Sequence, residues 1–400
     1  MHAGDVVAQR PQPLAGRRIW FVGIGGAGLS AYAFLARAWG AEVGGWDRNE
    51  TAYLAALEGV ELELGPEPSV RDGWETVVST AYAGRVQGRS RAEFLAELVS
   101  LRRSIVVSGA HGKTTTSGMI AFVLAELGHD PAWLVGGELP QLGCNAGAGE
   151  GWLVVEGDES DRTVEVLRPE IAVVTNVELD HHATFASDAE VRELFERWFV
   201  DVPQVVRGWE LGPVELELAI PGEHNRRNAA AALAALELAG VARAEAEPAL
   251  ARFRGAGRRF ELVGEAGGVT VVDDYAHHPS EIAATLAAAR ERTDGRVLVL
   301  FQPHLYSRTR HLAHEFGRAL SEADAVCVTE IYRAREQPLP GVGGKLVVAA
   351  LRPGVRAGWA PEVEQATALV ARWARPGDLV LTLGAGDVDR AGPLLLQALA

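Results

Sequence analysis

Residues 104–116 read SIVVSGAHGKTTT, and this stretch decides the fold of the region around it. A short apolar run that ends in a glycine turn predicts a buried strand followed by a loop of free backbone amides. In such a loop Lys113 can reach the β- and γ-phosphates of a nucleotide, and the Thr114 hydroxyl can ligate magnesium. The strict phosphate-loop pattern has a further glycine where this chain has Val107, so the match is to the shorter pattern G-x-x-G-K-T-T-T. The residues predicted to hold a nucleoside triphosphate are Gly109, Ala110, His111, Gly112, Lys113, Thr114 and Thr115.

The competing interpretation of this stretch is an exposed Gly-Lys turn that binds nothing. Lys113 and Lys345 are the only lysines of the chain, which otherwise uses arginine. A lysine at this one position therefore favours the nucleotide site over an incidental turn.

A second glycine turn lies in residues 17–28, RRIWFVGIGGAG. Gly23, Gly25 and Gly28 form a G-x-G-x-x-G pattern between a predicted strand and a predicted helix, and Asp47 ends the next strand about 20 residues later. The glycines let the backbone approach a diphosphate, the helix N-terminus supplies partial positive charge, and the acid can meet ribose hydroxyls. The pattern predicts nucleotide binding, but NAD and a UDP-sugar make similar demands on such a loop.

Acidic side chains follow the phosphate loop in the sequence. Glu156 ends the apolar run 152–156, and an acid at the carboxyl end of a strand beside a phosphate loop is well placed for magnesium. Asp158, Glu159 and Asp161 come next, in a polar stretch that is more typical of a solvated turn.

Two further polar groups follow later segments. After the apolar run 171–174 come Asn176, Asp180, His181 and His182, and their place at a strand end favours a metal or phosphate contact over surface filler. Asn225 and Asn228 open an Ala-rich helix predicted for residues 225–239. Asn225 suits a helix N-cap, and two asparagines one turn apart could also contact adenine.

Strands and helices alternate along the chain, which predicts an α/β fold with three domains. Residues 1–103 form a Rossmann-like domain around the first glycine turn. Residues 104–261 form a central P-loop ATPase domain. Residues 262–400 repeat the strand–helix alternation as a C-terminal Rossmann-like domain.

Composition excludes several classes of protein. A length of 400 residues suits two or three domains, and 48% hydrophobic with 23% charged residues is typical of a globular chain. A net charge of −15 argues against nucleic-acid binding, and no apolar run is long enough for a membrane helix. Two cysteines, Cys144 and Cys327, cannot form a disulfide framework, which indicates a cytoplasmic protein.

Together these motifs resemble the Mur ligase family, in family order and over nearly the whole chain. The segments that carry the resemblance are FVGIGGAGLSA (21–31), SGAHGKTTTSGM (108–119), VVEGDESD (154–161), VVTNVELDHH (173–182), IPGEHNRRNAAAA (220–232), GAGRRFE (255–261), VVDDYAHHPSEI (271–282), FQPHLYSRTR (301–310) and LTLGAGDV (381–388). The first segment resembles that of the family branch that adds alanine, in which the first domain binds a UDP-sugar.

This resemblance implies an ATP-dependent ligase of peptidoglycan precursor synthesis that acts in the cytoplasm. Its substrates would be UDP-N-acetylmuramate and L-alanine, and its cofactors would be ATP and Mg²⁺. The protein would be a monomer or a weak homodimer. ATP would phosphorylate the lactyl carboxylate of the sugar, and the amine of alanine would then displace phosphate from the acyl phosphate.

The resemblance also implies roles for individual residues. The catalytic residues would be Lys113, Glu156, His181, His277 and Arg308, with Thr114, Glu156 and His181 as magnesium ligands. Asn225, Asn228, Arg259 and Asp274 would hold ATP beside the phosphate loop. The substrate-binding residues would be Gly23, Gly25, Gly26, Ala27, Gly28, Ser30, Asp47 and Ser79 for the UDP-sugar, and Tyr275, His277 and Arg308 for alanine.

The chain departs from the family pattern in three ways. Leu305 stands where the family often has a basic residue, so the resemblance does not extend to that part of the usual substrate clamp. The segments after Ala81 and between Phe199 and Pro221 are short. Several branches use a carbamoylated lysine after the D-H pair, and this chain has no lysine between Lys113 and Lys345.

Three other functions fit parts of the sequence. An NAD-dependent oxidoreductase would explain only the first glycine turn and leaves Lys113 and Glu156 without a role. A nucleotide-sugar sensor would turn over ATP without forming an amide. A sibling ligase would attach a preformed peptide to the same sugar. The compact length of this chain argues against that function.

Overall fold

The computed structural model describes residues 12–57, 59–179, 184–334 and 336–400. Within these residues the strands form three sheets, mostly parallel and flanked by helices, as predicted for a three-domain α/β protein. By the density of their contacts the residues form two compact units, Met1–Leu211 with Ala231–Leu250, and Gly212–Ala230 with Ala251–Ala400. We call them unit 1 and unit 2, and the first two sheets both belong to unit 1.

The first sheet is parallel, in the order β3-β2-β1-β4-β5. Its strands are β1 (Arg18–Val22), β2 (Glu42–Asp47), β3 (Glu61–Leu64), β4 (Glu75–Val78) and β5 (Arg89–Ser90), and its helices are α1 (Ala27–Ala38) and α2 (Arg91–Ser100). The strand order reverses between β1 and β4, which is where open parallel sheets bind ligands. The Gly23–Gly28 turn leaves β1 at this point.

The second sheet has the order β11-β10-β6-β9-β7-β8 and is parallel except for the β7–β8 hairpin. Its strands are β6 (Ser104–Ser108), β7 (Ala132–Leu139), β8 (Cys144–Ala148), β9 (Leu153–Glu156), β10 (Ile171–Val174) and β11 (Gln204–Arg207). The helices that follow in the chain are α3 (Lys113–Glu126), α4 (Asp188–Phe199), α5 (Glu223–Leu238) and α6 (Arg243–Leu250). Because β6 lies between β9 and β10, the segments that leave those two strands flank the phosphate loop.

The third sheet lies in unit 2, in the order β12-β13-β17-β14-β15-β16, with only β12 antiparallel. Its strands are β12 (Glu261–Ala266), β13 (Val269–Asp274), β14 (Val297–Phe301), β15 (Ala325–Val328), β16 (Arg356–Trp359) and β17 (Leu379–Leu383). Its helices are α7 (Pro279–Arg290), α8 (Tyr306–Leu320), α9 (Gly344–Ala349), α10 (Val363–Trp373) and α11 (Ala391–Leu399). Apolar side chains fill both faces of this sheet.

Among the described residues, none of the helices combines the length and apolar character needed to cross a bilayer. The Ala-rich helix α5 begins at Glu223, two residues earlier than predicted. Asn225 therefore lies inside the helix, and the N-cap interpretation of this residue is wrong.

Candidate active site

The phosphate loop is held by polar side chains at the end of the neighbouring strand β10. The Thr175 hydroxyl donates to the carbonyl of His111 (2.5 Å), and the Asn176 amide both accepts from and donates to the backbone of His111 (3.0 and 2.8 Å). Gly109 has a φ of +123°, and a Cβ there would lie 2.3 Å from Thr175 Oγ1. The loop is therefore preformed, and its first position accepts only glycine.

Lys113, the first residue of α3, points its ammonium into the loop. Its Nζ donates to the carbonyl of Gly109 (2.6 Å) and to the carboxylate of Glu159 (3.0 Å). Burial disfavours the charged ammonium, but the carboxylates of Glu159 and Asp158 outweigh this effect and raise the pKa of Lys113. Lys113 is thus a cation at neutral pH.

Carboxylates converge on this lysine from the segment after β9. Glu159 is 2% exposed, so it is a buried partner of Lys113 rather than part of a solvated turn. Burial alone would raise the pKa of Asp158, but Lys113 and hydrogen bonds from Ser160 hold it below its usual range. Glu156, opposite Val107 in the sheet, accepts a hydrogen bond from the backbone of Gly136 (2.5 Å). The phosphate loop thus brings the Lys113 ammonium together with several carboxylate groups.

The predicted UDP-sugar turn is also held by a side chain of a neighbouring strand. Asp47 accepts hydrogen bonds from the backbone of Gly25 (2.8 Å) and of Arg48 (2.7 Å). Gly23 has a φ of +88°, and a Cβ there would lie 2.5 Å from Ser79 Oγ. Asp47 and Ser79 therefore border the turn directly, and their role in binding a UDP-sugar stays a prediction. Gly26 precedes the first residue of α1, Ala27, and the Ser30 hydroxyl donates to the carbonyl of Ala27 (3.1 Å).

In unit 2 a buried acid and two arginines surround the end of β13. Asp274 accepts hydrogen bonds from the backbone of Ala276 and of Phe260, both at 2.8 Å. Burial raises the pKa of Asp274 to about 6, against the opposing effects of Arg259 and these backbone groups. The guanidinium carbons of Arg258 and Arg259 lie 5.2 and 5.1 Å from the centre of the Tyr275 ring.

His277 lies beside this group. Its Nδ1 is 2.9 Å from the carbonyl of Tyr275 and 3.2 Å from Glu281, which also accepts its backbone N–H. The His277 ring contacts the ring of His304 edge to face, at 5.7 Å between centroids. Arg308, in the first turn of α8, is 7% exposed. Tyr275 and His277 follow the carboxyl end of β13, and Arg308 follows that of β14, so all three leave the same edge of the third sheet on either side of β17.

The first turn of α5 carries the two predicted adenine contacts, both in unit 2. Asn225 donates to the carbonyl of Pro221 (2.6 Å), and its own side-chain oxygen lies 3.5 Å from the amide nitrogen of Asn228. Both side chains are buried. Burial lowers the pKa of the adjacent His224 to about 4, so this imidazole is neutral at physiological pH.

Sequence reasoning and structure differ at several positions. His181, predicted as a catalytic residue and magnesium ligand, lies outside the described residues, as do Asp180 and His182. The sequence predicts Glu159 only as one acid of a polar stretch typical of a solvated turn, and it does not predict that Thr175 and Glu281 hold the neighbouring backbone. These roles depend on contacts between separate strand ends, although the position of Thr175 and Asn176 directly after an apolar strand was a usable signal.

Comparison with known proteins defines the class. Three family models match in chain order: the Mur ligase family catalytic domain at residues 18–103, the Mur ligase middle domain at 107–206 and the Mur ligase glutamate ligase domain at 258–386. The chain belongs to the Mur ligase family, whose members are ATP-dependent ligases.

Within this family several similar curated proteins carry the name UDP-N-acetylmuramate–L-alanine ligase. The protein from Streptomyces coelicolor is 40% identical over 97% of this chain and 99% of its own length. The protein from Renibacterium salmoninarum is 42% identical over 96% of each chain. A solved structure of UDP-N-acetylmuramate-alanine ligase from Thermotoga maritima has a TM-score of 0.78 and 27% identity over 95% of this chain and 98% of that one.

Proposed function

We propose that this chain joins the amine of L-alanine to the lactyl carboxylate of UDP-N-acetylmuramate, using ATP, in the cytoplasmic synthesis of peptidoglycan precursors. The observation that carries the proposal is full-length similarity to ligases named for this reaction, in a chain that also has the matching phosphate loop and glycine turn. An ATP-dependent ligase of this kind has to activate the carboxylate before the amide forms.

The reaction proceeds in two steps. A carboxylate oxygen of the sugar attacks the γ-phosphorus of ATP, and ADP leaves. The neutral amine of alanine attacks the acyl carbon of the resulting acyl phosphate, the nitrogen loses a proton to solvent, and the tetrahedral intermediate expels phosphate. Free carboxylate is a poor acyl donor, whereas phosphate is a good leaving group, so most of the catalysis is charge neutralisation and positioning.

Lys113 supplies the cation for the first step. In the structure its ammonium is bound to Glu159 and to loop carbonyls, and the β- and γ-phosphates of ATP offer it a stronger anionic partner. Since neighbouring carboxylates raise the pKa of Lys113, its charge is already present when the nucleotide binds.

Magnesium fits the donor chemistry of this loop. Thr114 is the second residue of α3 and Glu156 is the last residue of β9. Their side chains offer hard oxygen ligands on segments that leave the adjacent strands β6 and β9. These residues would hold the ion with phosphate oxygens, and it would supply further positive charge for the phosphates. His181 is proposed as an additional ligand.

Residues of unit 2 complete the proposed assignment. Asn225 and Asn228 would contact adenine, and Arg259 and Asp274 would contact the phosphate and ribose of ATP. The alanine site would be lined by Tyr275, His277 and Arg308. Support comes from the burial of Asn225, Asn228, Asp274 and Arg308. Tyr275, His277 and Arg308 also follow β13 and β14 of one sheet.

A reconstituted assay tests the function. The purified protein is given ATP, Mg²⁺ and UDP-N-acetylmuramate with single amino acids or a short peptide, and the products are identified by mass spectrometry. We expect ADP and UDP-N-acetylmuramoyl-alanine in equal amounts. A peptide adduct in place of the alanine adduct would support the sibling ligase, and ADP without any amide would support a sensor.

A further inference from the structure

Arg91 is the first residue of α2, a position where the helix dipole disfavours a cation. Its guanidinium extends to two other elements of unit 1. Nη1 lies 3.4 Å from the point that a Cβ at Gly28 would occupy. Nη2 lies 3.1 Å from the Asp161 carboxylate and 3.8 Å from that of Asp158.

These neighbours belong to both proposed ligand sites. Gly28 lies in the first turn of α1, which follows the UDP-sugar turn. Asp158 is one of the carboxylates that raise the pKa of Lys113, and it follows Glu156 by two residues. The lactyl carboxylate must lie between the UDP diphosphate and the γ-phosphate of ATP, because it receives the γ-phosphoryl group. The Arg91 guanidinium therefore lies close to the region that a bound sugar nucleotide would occupy.

The guanidinium also retains hydrogen-bonding capacity. Its Nε is buried and has no hydrogen-bond partner within the described part of the chain. The side chain as a whole is 26% exposed, so it is accessible from solvent. An arginine fork binds carboxylate and phosphate groups with two parallel hydrogen bonds, which a compact ammonium cannot do.

We propose that Arg91 binds an anionic group of UDP-N-acetylmuramate, either its diphosphate or its lactyl carboxylate, and so aligns the sugar with the phosphate loop. This inference rests on the proposed function and adds a substrate-binding residue that the sequence motifs do not include. Asp161 and Asp158 hold the guanidinium in place until the substrate anion competes for it.

Titration calorimetry with Arg91→Met tests the proposal. We expect the Kd for UDP-N-acetylmuramate to rise about tenfold or more, the scale of a lost charge-assisted hydrogen bond, while the Kd for ATP stays within about threefold. Arg91→Lys should recover part of the affinity. The matched control is Arg103→Met, which removes an exposed arginine paired with Glu170 and should leave both affinities unchanged.

Two comparisons separate the possible outcomes. UDP-N-acetylglucosamine has the diphosphate but no lactyl carboxylate, so weaker binding of both sugars identifies the diphosphate, and weaker binding of only the muramate identifies the carboxylate. Asp161→Asn removes the ion pair but keeps Arg91, so equal losses in Asp161→Asn and Arg91→Met would overturn the proposal in favour of a structural clasp. Unchanged sugar affinity in Arg91→Met would also overturn it. Failure of the wild type to bind the sugar would instead refute the proposed function.

Discussion

The ammonium of Lys113 is held by neutral and anionic oxygens that ATP must partly replace. Lys113→Ala keeps the glycine turn but removes the charge, so we expect ADP formation to fall about 10³-fold or more, the scale of a lost cationic clamp. Lys113→Arg should rescue poorly, because a planar guanidinium does not fit a loop shaped for an ammonium. The measurement is the initial rate of ADP release.

The chain offers a matched control for this variant. Lys345 is the other lysine, and its Nζ lies 4.1 Å from the centre of the Trp359 ring in unit 2. Lys345→Ala removes the same charge far along the sequence and should keep nearly full activity. Retention of most activity by Lys113→Ala would contradict the mechanism.

The burial of Glu159 beside Lys113 leads to a second prediction. Glu159→Gln leaves Lys113 without its close anionic partner, so the nucleotide-free protein should lose about 2 kcal/mol of stability and several degrees in Tm. ATP supplies new negative charge to the lysine, so the ATP-dependent rise in Tm should be larger in the variant than in the wild type. A smaller rise would mean that Glu159 itself helps to bind ATP.

The spacing of residues along the chain predicted Lys113 in a glycine turn after a strand and Glu156 at the end of a strand, because both positions follow short apolar runs. Spacing could not predict that Glu159 turns inward to meet Lys113 while Asp161 turns toward Arg91. Those directions are set by the turn that leaves β9 and by contacts with α2, which are properties of the folded chain.

Among the secondary-structure elements, the end of β10 fixes the conformation of the phosphate loop. Asn176→Ala removes two hydrogen bonds to the backbone of His111, each with a net value of about 1 kcal/mol. We expect the Kd for ATP to rise about tenfold, because the loop is no longer held in its binding conformation. Calorimetry with ATP measures this, and an unchanged Kd would show that Thr175 and the glycine geometry are sufficient.

The buried His224 in the first turn of α5 should make the stability of the protein depend on pH. Burial lowers the pKa of His224 to about 4, from 6.5 in the unfolded chain, against the opposing effects of Glu291 and Glu281. The unfolded chain therefore takes up a proton first as the pH falls. The contribution of neutral His224 to the free energy of unfolding is fully present above pH 6.5. About 2–3 kcal/mol of this free energy is lost as the pH falls toward 4.

Thermal unfolding at pH 5 and pH 7 checks this prediction. His224→Gln does not titrate, so its Tm should fall less between these values than that of the wild type. The control is His129→Gln, because His129 is exposed and its replacement should preserve the wild-type difference. If His224→Gln showed the full wild-type decrease in Tm, another group would be responsible for the pH dependence.

Elements with a strong apolar run were predictable from sequence, and the buried strand predicted before the phosphate loop is β6. The hairpin of β7 and β8 was not predicted, since its glycines at 136, 137 and 147 weaken the strand pattern. A Cβ at Gly147 would lie 2.2 Å from the Trp133 ring. Gly147 is therefore required by close cross-strand packing, which becomes visible only once the strands are paired.

For the whole molecule, the sequence predicted three α/β domains, and the three sheets agree with that architecture. The proposed boundaries at 103 and 261 stay predictions. Unit 1 contains the first two sheets, and its hydrophobic core includes both Phe21 beside the glycine turn and Val106 beside the phosphate loop. A shared core of this kind depends on packing between domains, which strand and helix patterns do not encode.

The two-step reaction predicts how the products depend on each reactant. Without UDP-N-acetylmuramate there is no carboxylate to accept the γ-phosphoryl group, so ADP release should stop even when alanine is present. Without alanine the acyl phosphate should form but yield no amide. Hydroxylamine can then attack the acyl carbonyl and expel phosphate, so a hydroxamate of the sugar should accumulate only when ATP and the sugar are both present. Mass spectrometry identifies this product, and the Lys113→Ala protein is the negative control. ADP release at the full rate without the sugar, or a hydroxamate formed without ATP, would contradict an acyl-phosphate mechanism.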